Sequence, residues 1–176
     1  TCALPISVRK PDGRVPSLVS ERSIPNSVIL SPKGERFTNE ASPYVTFVHD
    51  QIAHGHPYLW FVMDQTARRR YPFGATVPGA DLPQKWYDAG TAHKASTLDE
   101  LARLTGMDAA TLTASVQRWN EIVASGEDTD FGRGESAYDR YYGDPTLPNP
   151  VLGAVDNAPY YAVRIEAGDL GTKGGD

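Results

Sequence analysis

Apolar positions along this chain switch between continuous runs and helical spacing. Ser27 to Ser31 (SVILS) is a short continuous run, and Pro32-Lys33-Gly34 follows it as a turn signal. Glu35-Arg36-Phe37 then reads as the returning strand of a hairpin. Asn39 can cap a turn, and Tyr44, Phe47, Val48 and Ile52 carry helical spacing over 44–52. Tyr58 to Met63 (YLWFVM) is the strongest strand signal, unbroken and apolar, as in a strand buried on both faces. Asp64-Gln65-Thr66 opens a short helical turn that carries Arg68, Arg69 and Arg70.

Farther along, Thr97-x-x-Glu100 is a capping box ahead of a helix to Thr105, with Leu98, Leu101 and Ala102 on one face and Gly106 at its end. A second helix spans Asp108 to Ser125, with Leu112, Val116, Trp119 and Val123 forming one apolar stripe. Residues 127–158 are acidic, aromatic and rich in Gly and Pro, the pattern of a long irregular segment that packs on something or carries function. Tyr160 to Ile165 reads as a closing strand. Residues 1–26 read as loop with short strands. The pattern predicts an α+β fold, a small mixed or antiparallel sheet that includes 58–63 and 160–165, with helices packed on it.

Composition narrows the class. The chain has 176 residues, 40% hydrophobic, with formal net charge −5. That length suits one domain with a real core, and the acidic balance argues against a nucleic-acid partner. No apolar run approaches the roughly 20 residues of a membrane span. Cys2 is the one cysteine, so no internal disulfide or cysteine-based zinc site forms, in keeping with a reducing cytoplasm.

Candidate chemistry is sparse. The pair of helices at 97–125 has a helix-turn-helix rhythm, but the second carries only Arg118 as a cation, too few for phosphate neutralisation. His49, His54 and His56 lie close together, yet a metal site recruits further ligands, and structural or surface histidines are favoured over metal. The tail Gly168 to Gly175 (GDLGTKGG) meets neither the P-loop nor the dinucleotide pattern. Tyr71, in DQTARRRYPFG, follows the buried strand, where functional groups often sit. Its neighbours Arg68 to Arg70 would favour a phenolate; the bland alternative is an aromatic plug beside a solvated basic turn.

Taken together, SIPNSVILSPKGERFTNEASPY, VMDQTARRRYPFG, DFGRGESAYDRYYGDPTLPNPVLG and PYYAVRIEAGDLGTKGG resemble the 3-ketosteroid dehydrogenases, within the wider FAD flavoproteins that include fumarate reductase. G-x-R-F-x-N-E (Gly34 to Glu40) is broad to that superfamily. R-Y-x-F-G (Arg70 to Gly74) and G-D-L-G-T-x-G-G (Gly168 to Gly175) point to the steroid branch. The resemblance implies that 1–176 is a substrate-binding cap domain, with 1–20 and 166–176 as junctions to an FAD-binding domain absent from this chain. It implies FAD as cofactor, none of whose ligands lies here, and an isolated chain that is inactive and self-associates through the face left uncovered.

The implied reaction introduces a C=C bond beside the ketone of a 3-ketosteroid, at C1–C2. Hydride goes to FAD and a proton leaves the carbon next to the ketone. By resemblance Tyr71 is the proton acceptor and Phe47, in YVTFVH, lines an apolar steroid slot. Two alternatives stay open: a fumarate-reductase-like flavoprotein using an arginine near the position of Arg68, and a helix-turn-helix binding module.

Overall fold

A computed structural model of the chain describes residues 6–11, 13 and 16–168. Among these, the strands are β1 (Ile6–Ser7), β2 (Ser17–Leu18), β3 (Ser27–Leu30), β4 (Leu59–Met63), β5 (Ala92–Ala95) and β6 (Tyr160–Ala167). The helices are α1 (Tyr44–Ala53), α2 (Gln65–Arg70), α3 (Gln84–Asp88), α4 (Leu98–Thr105), α5 (Ala109–Ser125) and α6 (Ala137–Tyr141). The sheet order is β2-β1-β6-β4-β3, with β5 also paired to β6. Every pairing is antiparallel, so the expected α+β architecture holds in its antiparallel form.

β4 is the reason the sheet has two cores. It sits between β3 and β6, and all five of its residues are buried. Side chains alternate across a strand. Leu59, Phe61 and Met63 join Ile29, Phe47, Phe73, Val163 and Ile165 on one face. Trp60 and Val62 join Val28, Leu30, Ala162 and helices α4 and α5 on the other. An apolar run without alternation is what two covered faces require.

The two long helices end as their sequences direct. Thr97 accepts a hydrogen bond from the Glu100 amide, and the Glu100 carboxylate reaches back to the Ser96 amide. Asp108 caps α5 by accepting from the Thr111 amide at 2.8 Å. Gly106 and Gly126 close the helices at φ 80° and 82°, the left-handed region that glycine tolerates. The apolar stripe of α5 buries Leu112, Val116, Trp119 and Ile122, while Val123, expected in the stripe, is only partly buried.

The anticipated return strand at Glu35-Arg36-Phe37 does not form. Ser31 to Glu35 closes a turn through the Ser31 amide and the Glu35 carbonyl. Arg36 then turns inward onto Glu40 and Asp128, at 2.8 and 2.6 Å. The Ile29 amide on the free edge of β3 donates to the Glu40 carboxylate at 3.3 Å. A side chain thus occupies the edge that a hairpin partner would have taken. α3, β5 and α6 are further elements that the apolar pattern did not announce.

Glu40 is the hub of a buried ion cluster. Arg133 lies 3.4 Å from it and donates to the Ser27 and Ile24 carbonyls. The Arg36 and Arg133 guanidiniums each lie 4.8 Å from the Trp119 ring centroid. Burial works to raise the Glu40 carboxyl, but the two arginines outweigh it and hold it below the usual range. Through Arg133 and Asp128 this cluster fastens the irregular segment 127–158 to the sheet edge.

The same segment is fastened again at Gly153, whose carbonyl accepts from the Trp119 indole at 3.0 Å and the Asn26 amide at 3.2 Å. A Cβ there would lie 2.6 Å from the Asn26 nitrogen. Because that obstacle is backbone, Gly153→Ala is expected to cost about 1–3 kcal/mol, the range of overpacked sites. Urea unfolding of the chain measures it; an unchanged midpoint would mean that the segment shifts freely.

Candidate active site

Tyr71 owes its position to α2 and its cap. Asp64 ends β4 and caps α2, accepting from the Ala67 amide at 3.0 Å. Its other oxygen accepts from the Asp156 and Asn157 amides. One buried carboxylate thus joins the end of β4, the start of α2 and the approach to β6. Tyr71 is the C-cap residue, already extended at φ −123°, ψ 144°. Phe73 then plugs the core 4.8 Å from Phe61. Gly74 follows at φ 54°, where a Cβ would meet the Trp86 ring at 2.8 Å. The R-Y-x-F-G motif therefore has a local logic: an aromatic anchor and a glycine hold the residue before them in place.

The Tyr71 ring packs half-buried against the core, and its hydroxyl donates to Asp144 Oδ2 at 2.7 Å. Arg70 donates to the same oxygen at 3.0 Å and lies 5.7 Å from the Tyr71 ring centroid. Thr146 binds the other oxygen through its amide and its hydroxyl, at 2.9 and 2.6 Å. Hydrogen bonds from Thr146 and Tyr71 hold the Asp144 carboxyl at about 2.

This geometry corrects the expectation that the arginine run favours a phenolate. Burial first, and then the Asp144 carboxylate, push the Tyr71 phenol well above its ordinary value; Arg70 opposes them and loses. Arg68 takes no part at the hydroxyl. It is buried and donates to the Tyr71 carbonyl, the Thr76 hydroxyl and the Ala80 carbonyl. Tyr71 is a neutral phenol whose proton points at Asp144.

Phe47 is placed in the core. Its ring has no exposed surface in this chain. It lies under the Arg22 guanidinium, 5.2 Å away, and beside Phe37. Arg22 is held over it by the Glu40 and Ser42 carbonyls. Exposed aromatics stand elsewhere, at Phe131 and on α6 and its end, Tyr138, Tyr141 and Tyr142. The tyrosines precede Asp144 in YDRYYGD, a string the residue pattern marked only as irregular.

The remaining candidates separate cleanly. His54 and His56 stack 5.8 Å apart beside Phe37, at the mouth of a cavity of about 640 Å³ that shares no lining residue with the Tyr71 cluster. No group of three or more metal-ligating side chains gathers among the described residues. Arg118, the one cation on α5, is paired with Asp130 and Glu121. Among the described residues no helix is long and apolar enough to cross a membrane. Of the glycine-rich tail, only Gly168 lies within the described residues.

The sequence profile of the family described as FAD binding domain matches residues 4–175. The chain belongs to that family. It is 47% identical over 167 residues to the 3-oxosteroid 1-dehydrogenase of Mycobacterium tuberculosis (strain ATCC 25618 / H37Rv), covering 89% of this chain and 30% of the relative. It is 37% identical to the 4-oxocyclohex-2-ene-1-carboxylate 5-dehydrogenase of Sinomonas cyclohexanicum, over 97% of this chain and 30% of that protein. Among solved structures, the 3-ketosteroid delta1-dehydrogenase from Sterolibacterium denitrificans, in complex with 1,4-androstadiene-3,17-dione, superposes with a TM-score of 0.90 at 36% identity. That match covers 98% of this chain and 32% of the other. The chain thus spans about 30% of the length of the curated relatives it matches.

The family name sets a test for the cofactor. A dinucleotide cradle of this class needs parallel strands with a crossover helix, whose N-terminus meets the pyrophosphate. The strand pairings of the described residues are all antiparallel. The described residues therefore supply no such cradle for FAD.

Proposed function

We propose that this chain is the substrate-binding cap, and carries the proton acceptor, of an FAD-dependent 3-ketosteroid dehydrogenase that introduces a double bond at C1–C2. FAD belongs, in this reading, to a part of the polypeptide beyond the described residues, and the chain alone is inactive. The observation that carries the proposal is Tyr71: a phenol at a fixed helix end, with a carboxylate accepting its proton, in a chain 47% identical to an enzyme named for this reaction. A proton on the carbon beside a ketone is acidic enough for a positioned side chain to remove it. The exposed tyrosines 138, 141 and 142 supply aromatic surface for the FAD-binding part, and the same surface would draw copies of the isolated chain together. Phe47 packs beneath Arg22, and its place along the apolar slot stays part of this reading.

The fumarate-reductase-like alternative loses ground at Arg68, the arginine it would use as proton donor. Its guanidinium is already committed to acceptors within this chain. The deciding experiment loads the full-length protein with FAD, adds 4-androstene-3,17-dione and follows reduction of an electron-accepting dye. Steroid-dependent bleaching is expected, with none from fumarate. A flavin-loaded protein that bleaches no dye with steroid overturns the proposal.

A further inference from the structure

We propose that Asp144 is the positioning residue for Tyr71, and that it receives the phenolic proton as Tyr71 takes one from the substrate. The proposal rests on the reading of Tyr71 as proton acceptor given above. Asp144 is fixed before any ligand arrives. Its amide donates to the Pro150 carbonyl at 2.7 Å, and Thr146 holds one carboxylate oxygen. Gly143 lets the loop close this far, since a Cβ there would sit 2.5 Å from the Pro150 oxygen. The second oxygen receives both Tyr71 and Arg70. The charged groups around the phenol are Asp144 and Arg70 at the ring and hydroxyl, with Arg68 reaching only the backbone carbonyl.

The direction of the Tyr71 hydrogen bond has a chemical consequence. A phenol that donates to Asp144 turns an oxygen lone pair, and not its proton, toward whatever approaches from the other side. As the substrate C–H bond breaks, its proton bonds to the Tyr71 oxygen and the original phenolic proton passes to Asp144 Oδ2. The electron pair stays on the substrate carbon, delocalised into the ketone. Tyr71 begins and ends neutral, and one negative charge moves from the carboxylate to the substrate. Arg70, with 44% of its side chain exposed, pairs with this carboxylate at the surface, and water there takes the proton away. Since burial and Asp144 together keep the phenol protonated well above its ordinary range, no prior phenolate is needed at neutral pH.

The test is made on the full-length, FAD-loaded protein with Asp144→Asn and Asp144→Glu, and with 13Cζ-labelled tyrosine. The Tyr71 resonance is assigned by its absence in Tyr71→Phe. In the parent protein the resonance should not titrate below pH 10, and steroid turnover should be flat from pH 7 to 9. Asp144→Asn should lower the midpoint of the resonance toward the ordinary tyrosine value of about 10, without reaching it, because the burial of the ring remains. It should lower kcat at pH 7 by about 10- to 100-fold and make the rate climb with pH as phenolate forms. Asp144→Glu keeps the carboxylate and should restore the flat profile. Identical Tyr71 titration in the parent and Asp144→Asn proteins overturns the proposal, as does an Asp144→Glu protein that behaves like Asp144→Asn. Absence of steroid turnover in the parent protein overturns the functional reading instead, while the titration, read without substrate, still decides whether Asp144 governs the phenol.

Discussion

Tyr71→Phe in the full-length flavoprotein should lower kcat about 100-fold or more, the scale of a lost general acid–base group, with KM for steroid little changed. The ring should stay where it is. Its packing on the Phe61 and Phe73 cluster needs no hydroxyl, and Asp144 keeps Thr146 and Arg70 as partners. The variant therefore removes one oxygen atom and its proton from an otherwise intact site. Pre-steady-state flavin reduction under saturating steroid is the measurement, because it isolates the chemical step. A rate within a few fold of the parent protein would remove Tyr71 from the mechanism, and Asp144 with it.

Glu40→Gln should have the largest effect on stability, about 3–5 kcal/mol, as for a buried pair that loses one partner. The substitution keeps the shape and removes the charge that Arg36 and Arg133 share. Arg133 has no exposed surface, so its guanidinium would stay charged in a dry site or force the segment around it open. The same physics gives a pH dependence. The Glu40 and Asp128 carboxyls are held below their ordinary values of 4.5 and 3.8. A depressed acid binds fewer protons folded than unfolded. Its stabilisation is complete above the unfolded value and drains away as pH falls from about 4.5 through the folded values. Thermal unfolding between pH 7 and 3 should show this loss in the parent protein and a smaller one in Glu40→Gln. Equal slopes would place the acid sensitivity elsewhere.

The parts of the fold legible in the sequence were those that local rules govern. Thr97 with Glu100, Asp108, Gly106 and Gly126 mark helix ends through backbone hydrogen bonds a few residues long, and they read directly. The continuous run at Tyr58 to Met63 announced a central strand because both faces are covered. β5 (AHKA) was silent, since a histidine and a lysine interrupt its apolar signal and its pairing with β6 is what makes it a strand. The misread return strand at 35–37 failed for a similar reason. Arg36 looks like a polar edge residue until Asp128, far along the chain, draws it inward. The site divides the same way. Tyr71 was reachable through a motif, whereas the sign of its pKa shift depended on burial and on Asp144, both set by tertiary packing. A run of arginines beside a tyrosine says nothing about where their guanidiniums point.

The strand β6 holds the sheet together, and it is the last of the described strands in chain order. β4, β5 and β1 all pair with it, and Ile6 finds its partner at Ala167. Until residues 160–167 emerge, the apolar strand β4 has one open edge and β1 lacks its long neighbour. Sheet closure must therefore wait for contacts between residues as far apart in sequence as Ile6 and Ala167, a topology that slows folding because loops are closed before any contact rewards them. Nascent chains that stop short of Tyr160 should expose the β4 edge to one another.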